Sequence, residues 1–197
     1  MRVAPTEHTS RPWRIHEIAH DFVLEDVWAL PTPGGPDDFG LLTAELTTSG
    51  RPGENATGVA GLLWSIRWKL GALLRWDRDD AGLRTRVPTL RDRLPDDLRD
   101  APRPALGRLP FSSLYQLDDE FAAEIANATM HGVLHLSWVE DGNGGYRGQM
   151  AVLVKPNGRL GRLYMAAIKP FRYLIIYPAM MRDYERYWQR ATGVRSA

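Results

Sequence analysis

The sequence predicts an α+β domain in which a curved antiparallel meander wraps a long C-terminal helix. Two observations carry that reading. From Phe111 to Lys155 the apolar and polar residues alternate with a period of two, in runs separated by turn residues. From Arg159 to Thr192 the period becomes helical, and Leu160, Leu163, Tyr164, Ala167, Ile168, Phe171, Leu174, Ile175, Met181 and Trp188 make one broad apolar stripe. Such a stripe has to lie against another apolar surface, and the strand block just before it is the best partner. A sheet closed over a helix in this way makes a container.

Length and composition set the bounds. The chain of 197 residues fits one domain, read as 12–193, with a loose N-terminus over 1–11 and a tail over 194–197. An apolar fraction of 44% and a charged fraction of 25% are those of a soluble globular protein. A net charge of +1 offers no global field to recruit nucleic acid or an anionic membrane. The absence of cysteine excludes a disulfide framework, a thiol nucleophile and a thiolate metal site. The first residues lack the apolar core of a secretory signal. The longest apolar stretch, Leu160 to Met181, is interrupted by Lys169, Pro170, Arg172 and Pro178, so no membrane span is expected. The expected location is the cytoplasm.

In chain order, Trp13 to Ile18 alternates like a strand, and Asp21 reads as the N-cap of a short helix to Trp28. Pro31 to Pro36 is a loop, followed by a helix from Asp37 to Leu46. Val59 to Leu74 carries one apolar helical face, with Trp64 and Trp68 on its flank. Residues 77–110, rich in Asp, Arg and Pro, read as a long irregular insertion with one helical turn near Leu90, of the kind that can serve as a lid. Strands are expected over Ser113–Leu117, Glu120–Ala126, Thr129–Glu140 and Tyr146–Lys155. Asp118-Asp119, Asn127 and Asp141 to Gly145 supply the turns. In the closing helix, Pro170 and Pro178 predict kinks or a break.

Three constellations could carry chemistry. His16-Glu17-Ile18-Ala19-His20 is a literal H-E-x-x-H, which on a helix puts both imidazoles on one face to hold zinc, with Asp26 as a third ligand. Against it, Val23 stands where those enzymes need a turning glycine, and a strand would separate His16 from His20 by about 13 Å. His131 and His135 share one strand face with Thr129 and Val133, also about 13 Å apart, too far to ligate one metal unaided. They read either as groups that face solvent or satisfy buried polar atoms, or as contacts in a cavity beside Glu124 and Asn127 of the neighbouring strand, with Glu124 or His131 as acid or base. The aromatics Trp64, Trp68, Tyr115, Tyr164 and Phe171 read as core or as cavity lining. No phosphate loop, nucleophile elbow or dinucleotide fingerprint is present.

Several stretches together resemble a bacterial family known as domain of unknown function 2867. They are Leu24-Glu25-Asp26-Val27-Trp28-Ala29-Leu30-Pro31, Arg67-Trp68-Lys69-Leu70-Gly71 with Trp76-Asp77, Asp119-Glu120 through Glu124-Ile125-Ala126-Asn127, Thr129-Met130-His131-Gly132-Val133, and Lys169-Pro170-Phe171-Arg172 with Tyr177-Pro178. The resemblance implies a helix-grip fold, similar to START and Bet v 1-like (SRPBCC) ligand-binding proteins. Relatives joined to an NAD-binding domain imply a functional link to an NAD-dependent reductase; no catalytic residues are implied.

The functional expectation is a binding module for a small hydrophobic or polyketide-like molecule. Trp64, Tyr115, Glu124, Asn127, His131, His135, Tyr164 and Phe171 would line a cavity between sheet and C-terminal helix, with no cofactor; a homodimer is compatible with the sequence. The alternatives are a cyclase or dehydratase-like enzyme on the same fold using Glu124 or His131, and a zinc hydrolase using His16, Glu17 and His20.

Overall fold

The alternation after Phe111 forms the strands it calls for. A computed structural model of the chain describes residues 1–48, 87–106, 109, 111–127 and 129–193, without the side chains of 45, 47, 48, 159, 160, 163, 164 and 171. The helix expected over Val59–Leu74, with Trp64 and Trp68, and the first part of the insertion lie outside the described residues. The sheet consists of Val23–Ala29 (β1), Ser112–Gln116 (β2), Glu120–Ala126 (β3), Met130–Glu140 (β4) and Tyr146–Pro156 (β5). Every pairing is antiparallel and the order is β1-β5-β4-β3-β2.

Turn chemistry sets the meander's registers. The Asn127 side-chain oxygen accepts from the Thr129 and Met130 amides at 2.8 and 3.0 Å, which fixes the β3–β4 turn. Asp141 Oδ1 accepts from the Asn143 and Gly145 amides, while Gly142 and Gly144 take φ of +82° and +86° to bring β5 back.

Two early expectations are corrected. Trp13–Ile18 is not a strand: it holds a single helical turn, Ile15–Ile18 (α2), preceded by another at Thr6–Thr9 (α1). Asp21–Trp28 is not a helix but holds most of β1. A bulge at Glu25 shifts the register, so Leu24 pairs with Leu153 and Val27 with Ala151. Leu24 and Val27 therefore share one face although three residues apart, and that spacing imitates a helix. Asp21 caps nothing; its carboxylate meets Arg93 at 2.6 Å and Lys155 at 2.7 Å, and these bonds hold it well below the usual carboxylate range. The next expected helix does form, as Phe39–Thr48 (α3).

The sheet is covered on both faces. On the first face Val27, Tyr115, Ala122, Val133, Ala151 and Leu153 pack against Trp13, Ile15 and Ile18. Leu90, Leu94 and Leu98 complete that cover, from the 3-10 turn Leu90–Arg93 and the short helix Asp96–Arg99 (α4). On the second face Phe121, Leu136, Trp138 and Met150 pack against Phe39, Leu42 and Leu46 of α3 and Tyr177, Tyr184 and Trp188 of the C-terminal helix. That helix runs as Gly158–Phe171 (α5), a π-helical segment Arg172–Ile176, and Tyr177–Thr192 (α6). Pro170 lacks the amide the ladder needs and clashes with the preceding turn, and the winding widens immediately after it. Pro178 sits in the first turn of α6, where no donor is required. Among the described residues, no helix is long and apolar enough to cross a membrane.

The start of α5 is held by a close backbone approach. A Cβ on Gly161 would lie 2.1 Å from the Thr129 carbonyl oxygen, so only glycine fits. Gly161→Ala is expected to destabilise the fold by about 1–3 kcal/mol through forced displacement of α5, measured by urea denaturation.

Candidate functional site

Strand parity brings the polar residues of β3 and β4 onto the first face. In β3, Glu120, Ala122 and Glu124 alternate toward it; in β4, His131, Val133, His135 and Ser137 do the same. The register sets Ala122 opposite His135 and Glu124 opposite Val133. This face is the one covered by the N-terminal segment, not by the C-terminal helix. Both histidines are buried, so neither faces solvent.

Two buried polar chains result. In the first, Glu120 accepts from the Tyr115 hydroxyl at 3.1 Å, from the Arg14 amide at 3.1 Å and from His135 Nε2 at 2.9 Å. With its proton on Nε2, a neutral His135 offers Nδ1 as an acceptor to His8 Nε2, 3.0 Å away. The chain thus runs Tyr115, Glu120, His135, His8, with each proton direction set by the carboxylate within it. Burial pushes His8 down to about 2, helped by the nearby His135 and His16, and pushes His135 down as well. Burial raises the Tyr115 hydroxyl.

In the second chain, Glu124 accepts from His131 Nε2 at 2.9 Å, from the Leu90 amide at 2.9 Å and from the Thr89 hydroxyl. Burial alone would raise the Glu124 carboxyl, but these donors outweigh it and leave it lowered. The Phe22 ring stands edge-on to His131 at 4.9 Å between centroids. A carboxylate that orients one imidazole nitrogen leaves the other as a base, the geometry of an acid–base pair.

A third polar cluster sits on the opposite face, beneath the C-terminal helix. Asp26 accepts from Tyr177 at 2.7 Å and from Arg172 and Tyr173, and Arg172 also donates to the Tyr177 hydroxyl at 2.7 Å. Burial opposes the Arg172 charge, yet Tyr177 and Asp26 more than compensate and raise it. Burial and Asp26 push Tyr173 up to about 12. The Trp28 ring lies 4.7 Å from that of Tyr177.

The expected lining residues therefore do not meet in one compartment. Tyr115, Glu124, His131 and His135 share the first face, whereas Tyr164 and Phe171 belong to the C-terminal helix on the second, their side chains outside the described set. Asn127 spends its side chain on the turn. The zinc constellation does not assemble either. Helix α2 ends before His20, whose Nδ1 approaches the Glu17 carbonyl at 3.2 Å; His16 approaches the His8 carbonyl at 3.4 Å; Asp26 lies across the sheet with Arg172. Among the described residues, no group of three or more His, Cys, Asp or Glu could hold a metal ion.

Sequence reasoning misses Glu120, His8, Thr89, Arg172, Tyr173 and Tyr177. Glu120 is legible, since it shares strand parity with Glu124. His8 is not, because nothing local marks a residue in a polar N-terminal segment as buried.

The buried charges and rings make two predictions. Asp26→Asn should destabilise the protein by about 3–5 kcal/mol by leaving Arg172 uncompensated, measured by chemical denaturation. The unfolded chain protonates His8 near 6.5 while the folded one resists to about 2. The stabilising contribution is therefore complete above pH 6.5 and is lost as pH falls through 6.5 toward 2. His8 alone should give a slope of up to about 1.4 kcal/mol per pH unit, and His8→Asn should flatten the acid limb of a stability–pH curve.

The family model for a protein of unknown function, DUF2867, matches residues 18–179. No curated protein and no solved structure matches the chain. The family match takes in β1, the whole meander, the π-helical segment and the Asp26 cluster; the chain belongs to the DUF2867 family.

Proposed function

We propose that the protein binds a small hydrophobic molecule between the sheet and the C-terminal helix, in the manner of a helix-grip domain. The observation that supports this is the incomplete burial of Leu134 and Val152. These two residues pair across the central strands β4 and β5 and point at the helix-covered face, yet both are only half-buried. Their neighbours on the same face, Leu136 and Met150 on one side and Gly132 and Val154 on the other, are buried. Because these immediate neighbours are more buried than the pair itself, we read the accessibility at Leu134 and Val152 as a recess distinct from the open strand ends at Met130 and Pro156. Val152 pairs with Asp26, which brings the polar cluster to the edge of the recess, beside the half-buried rings of Trp28 and Tyr173. The indole nitrogen of Trp28 is buried without a partner there. The arrangement fits an apolar body carrying one hydrogen-bond acceptor.

A second reading is an enzyme of the cyclase or dehydratase type using His131 and Glu124, favoured by their 2.9 Å pairing. That pair lies on the opposite face, so its substrate would have to approach from the side of Phe22. A functional link to an NAD-dependent reductase, and a homodimer, are compatible with either reading.

The test combines native mass spectrometry of gently purified protein with Nile red titration. Wild-type protein is expected to carry or take up one apolar molecule, and Val152→Trp and Leu134→Trp to weaken Nile red binding at least about tenfold while far-UV circular dichroism is kept. Binding that neither substitution affects, or no saturable binding at all, overturns the proposal. Loss of binding in His131→Ala with binding kept in both tryptophan variants would favour the second reading.

A further inference from the structure

Helix α1 is a roof over a buried polar pair, and nothing in the helix-face reading above uses it. Ser137 and Gln149 sit directly opposite each other in β4 and β5 on the first face, with Glu120 opposite Ser137 on the other side. Both are almost entirely buried. One same-face step along the strands from this pair, His135 bonds His8; one step in the other direction, Arg147 bonds Glu7 at 3.2 Å. Adjacent residues of α1 are thus anchored on either side of the pair, and α1 crosses above it. Trp13 packs beside both histidines, its ring 6.5 Å from that of His8 and 5.6 Å from that of His135.

Five polar atoms in this layer are buried without a hydrogen-bond partner among the described residues: Ser137 Oγ, Gln149 Oε1, His8 Nδ1, Trp13 Nε1 and Arg147 Nη1. Their roles are fixed by chemistry. The Glu120 carboxylate directs the proton of His135 and through it that of His8, which leaves His8 Nδ1 an acceptor. Gln149 Oε1 is an acceptor, Trp13 Nε1–H and Arg147 Nη1–H are donors, and the Ser137 hydroxyl is either. Buried polar atoms of a native fold are rarely left unbonded, and five in one layer call for a common partner. The Glu120 carboxylate and the Arg147 guanidinium flank the pair with opposite charges, so the surroundings favour neither an anion nor a cation, and the described residues hold no metal-ligating group of three.

We propose that the space between α1 and the Ser137–Gln149 pair is a binding site for a small neutral molecule that both donates and accepts hydrogen bonds: water, or a simple amide or alcohol. The guest donates to Gln149 or His8, or to both where it carries two protons as water or a primary amide does, and accepts from Ser137, Trp13 or Arg147. It extends the chain Tyr115–Glu120–His135–His8 by one bonded member.

The sign of a stability change separates the two cases. Removing a buried polar atom that bonds nothing is neutral or stabilising, whereas removing a guest's partner is destabilising. Thermal unfolding of the full chain near neutral pH is compared for wild type, Ser137→Ala, Gln149→Leu and the double variant. A shared guest predicts that each single change lowers Tm by roughly 2–4 °C and that the double change lowers it by less than their sum. Unchanged or raised Tm in either single variant, or additive losses, overturns the proposal. Should a variant fail to fold, water-selective nuclear Overhauser spectra of the wild type at the Trp13 indole proton answer the same question. A cross-peak to water identifies a water guest, and mass spectrometry after denaturation identifies an organic one. A protein that gives neither signal has no such site.

Discussion

The constraint on which the rest of the structure depends is that β4 and β5 are buried on both faces. They form the middle of a five-stranded sheet, with β1 and β3 completing their ladders. Fully burying a large apolar side chain contributes about 1.5–3 kcal/mol, so two apolar faces demand two separate covers. The N-terminal segment and residues 90–98 provide one, and α3 with the C-terminal helix provides the other. Each polar residue of the inner strands must therefore find its partner inside the protein.

The two faces meet that demand with different chemistry. On the first, burial keeps the imidazoles of His8 and His135 neutral, and both are strung onto the Glu120 carboxylate. Three direct hydrogen bonds converge on that carboxylate, from the Tyr115 hydroxyl, the Arg14 amide and the His135 ring. The Arg14 guanidinium adds a favourable charge nearby. On the second face a full ion pair survives burial, because the Asp26 carboxylate receives Arg172 and two tyrosine hydroxyls together. Both clusters tie residues far apart in the chain, His8 to His135 and Asp26 to Arg172, so each also acts as a clasp between a sheet face and its cover.

The geometry of the C-terminal helix is tied to the Asp26 cluster. Pro170 interrupts the ladder of α5, and the π-helical segment that follows carries Arg172 and Tyr173 toward Asp26. Widened winding of this kind turns side chains that would otherwise point along the helix surface. The polar clasp holds the helix at that point, while Leu134 and Val152 beside it keep access to solvent. Packing on the same face is complete farther along, where Tyr184 and Trp188 meet Phe39 and Trp138. The face under the covering helix is thus fully buried around Trp188 and less completely buried at Leu134 and Val152.

Much of the architecture is legible in the sequence, because alternation and turn chemistry are local. The four strands of the meander, the Asn127 and Asp141 turns, the helix after residue 37 and the long C-terminal helix with its disturbance at Pro170 all follow from residues within a few positions of one another. Strand β1 escapes that reading for an equally local reason, since its bulge gives Leu24 and Val27 a helical spacing. What the tertiary structure alone decided is which cover lies on which face. Strand parity places Glu124, His131 and His135 together but cannot say that the N-terminal segment lies over them. Nor can it bring His8 to His135 or Arg172 to Asp26. Those pairings depend on long-range packing of two apolar surfaces, and periodicity records that a face is apolar without recording what will bury it.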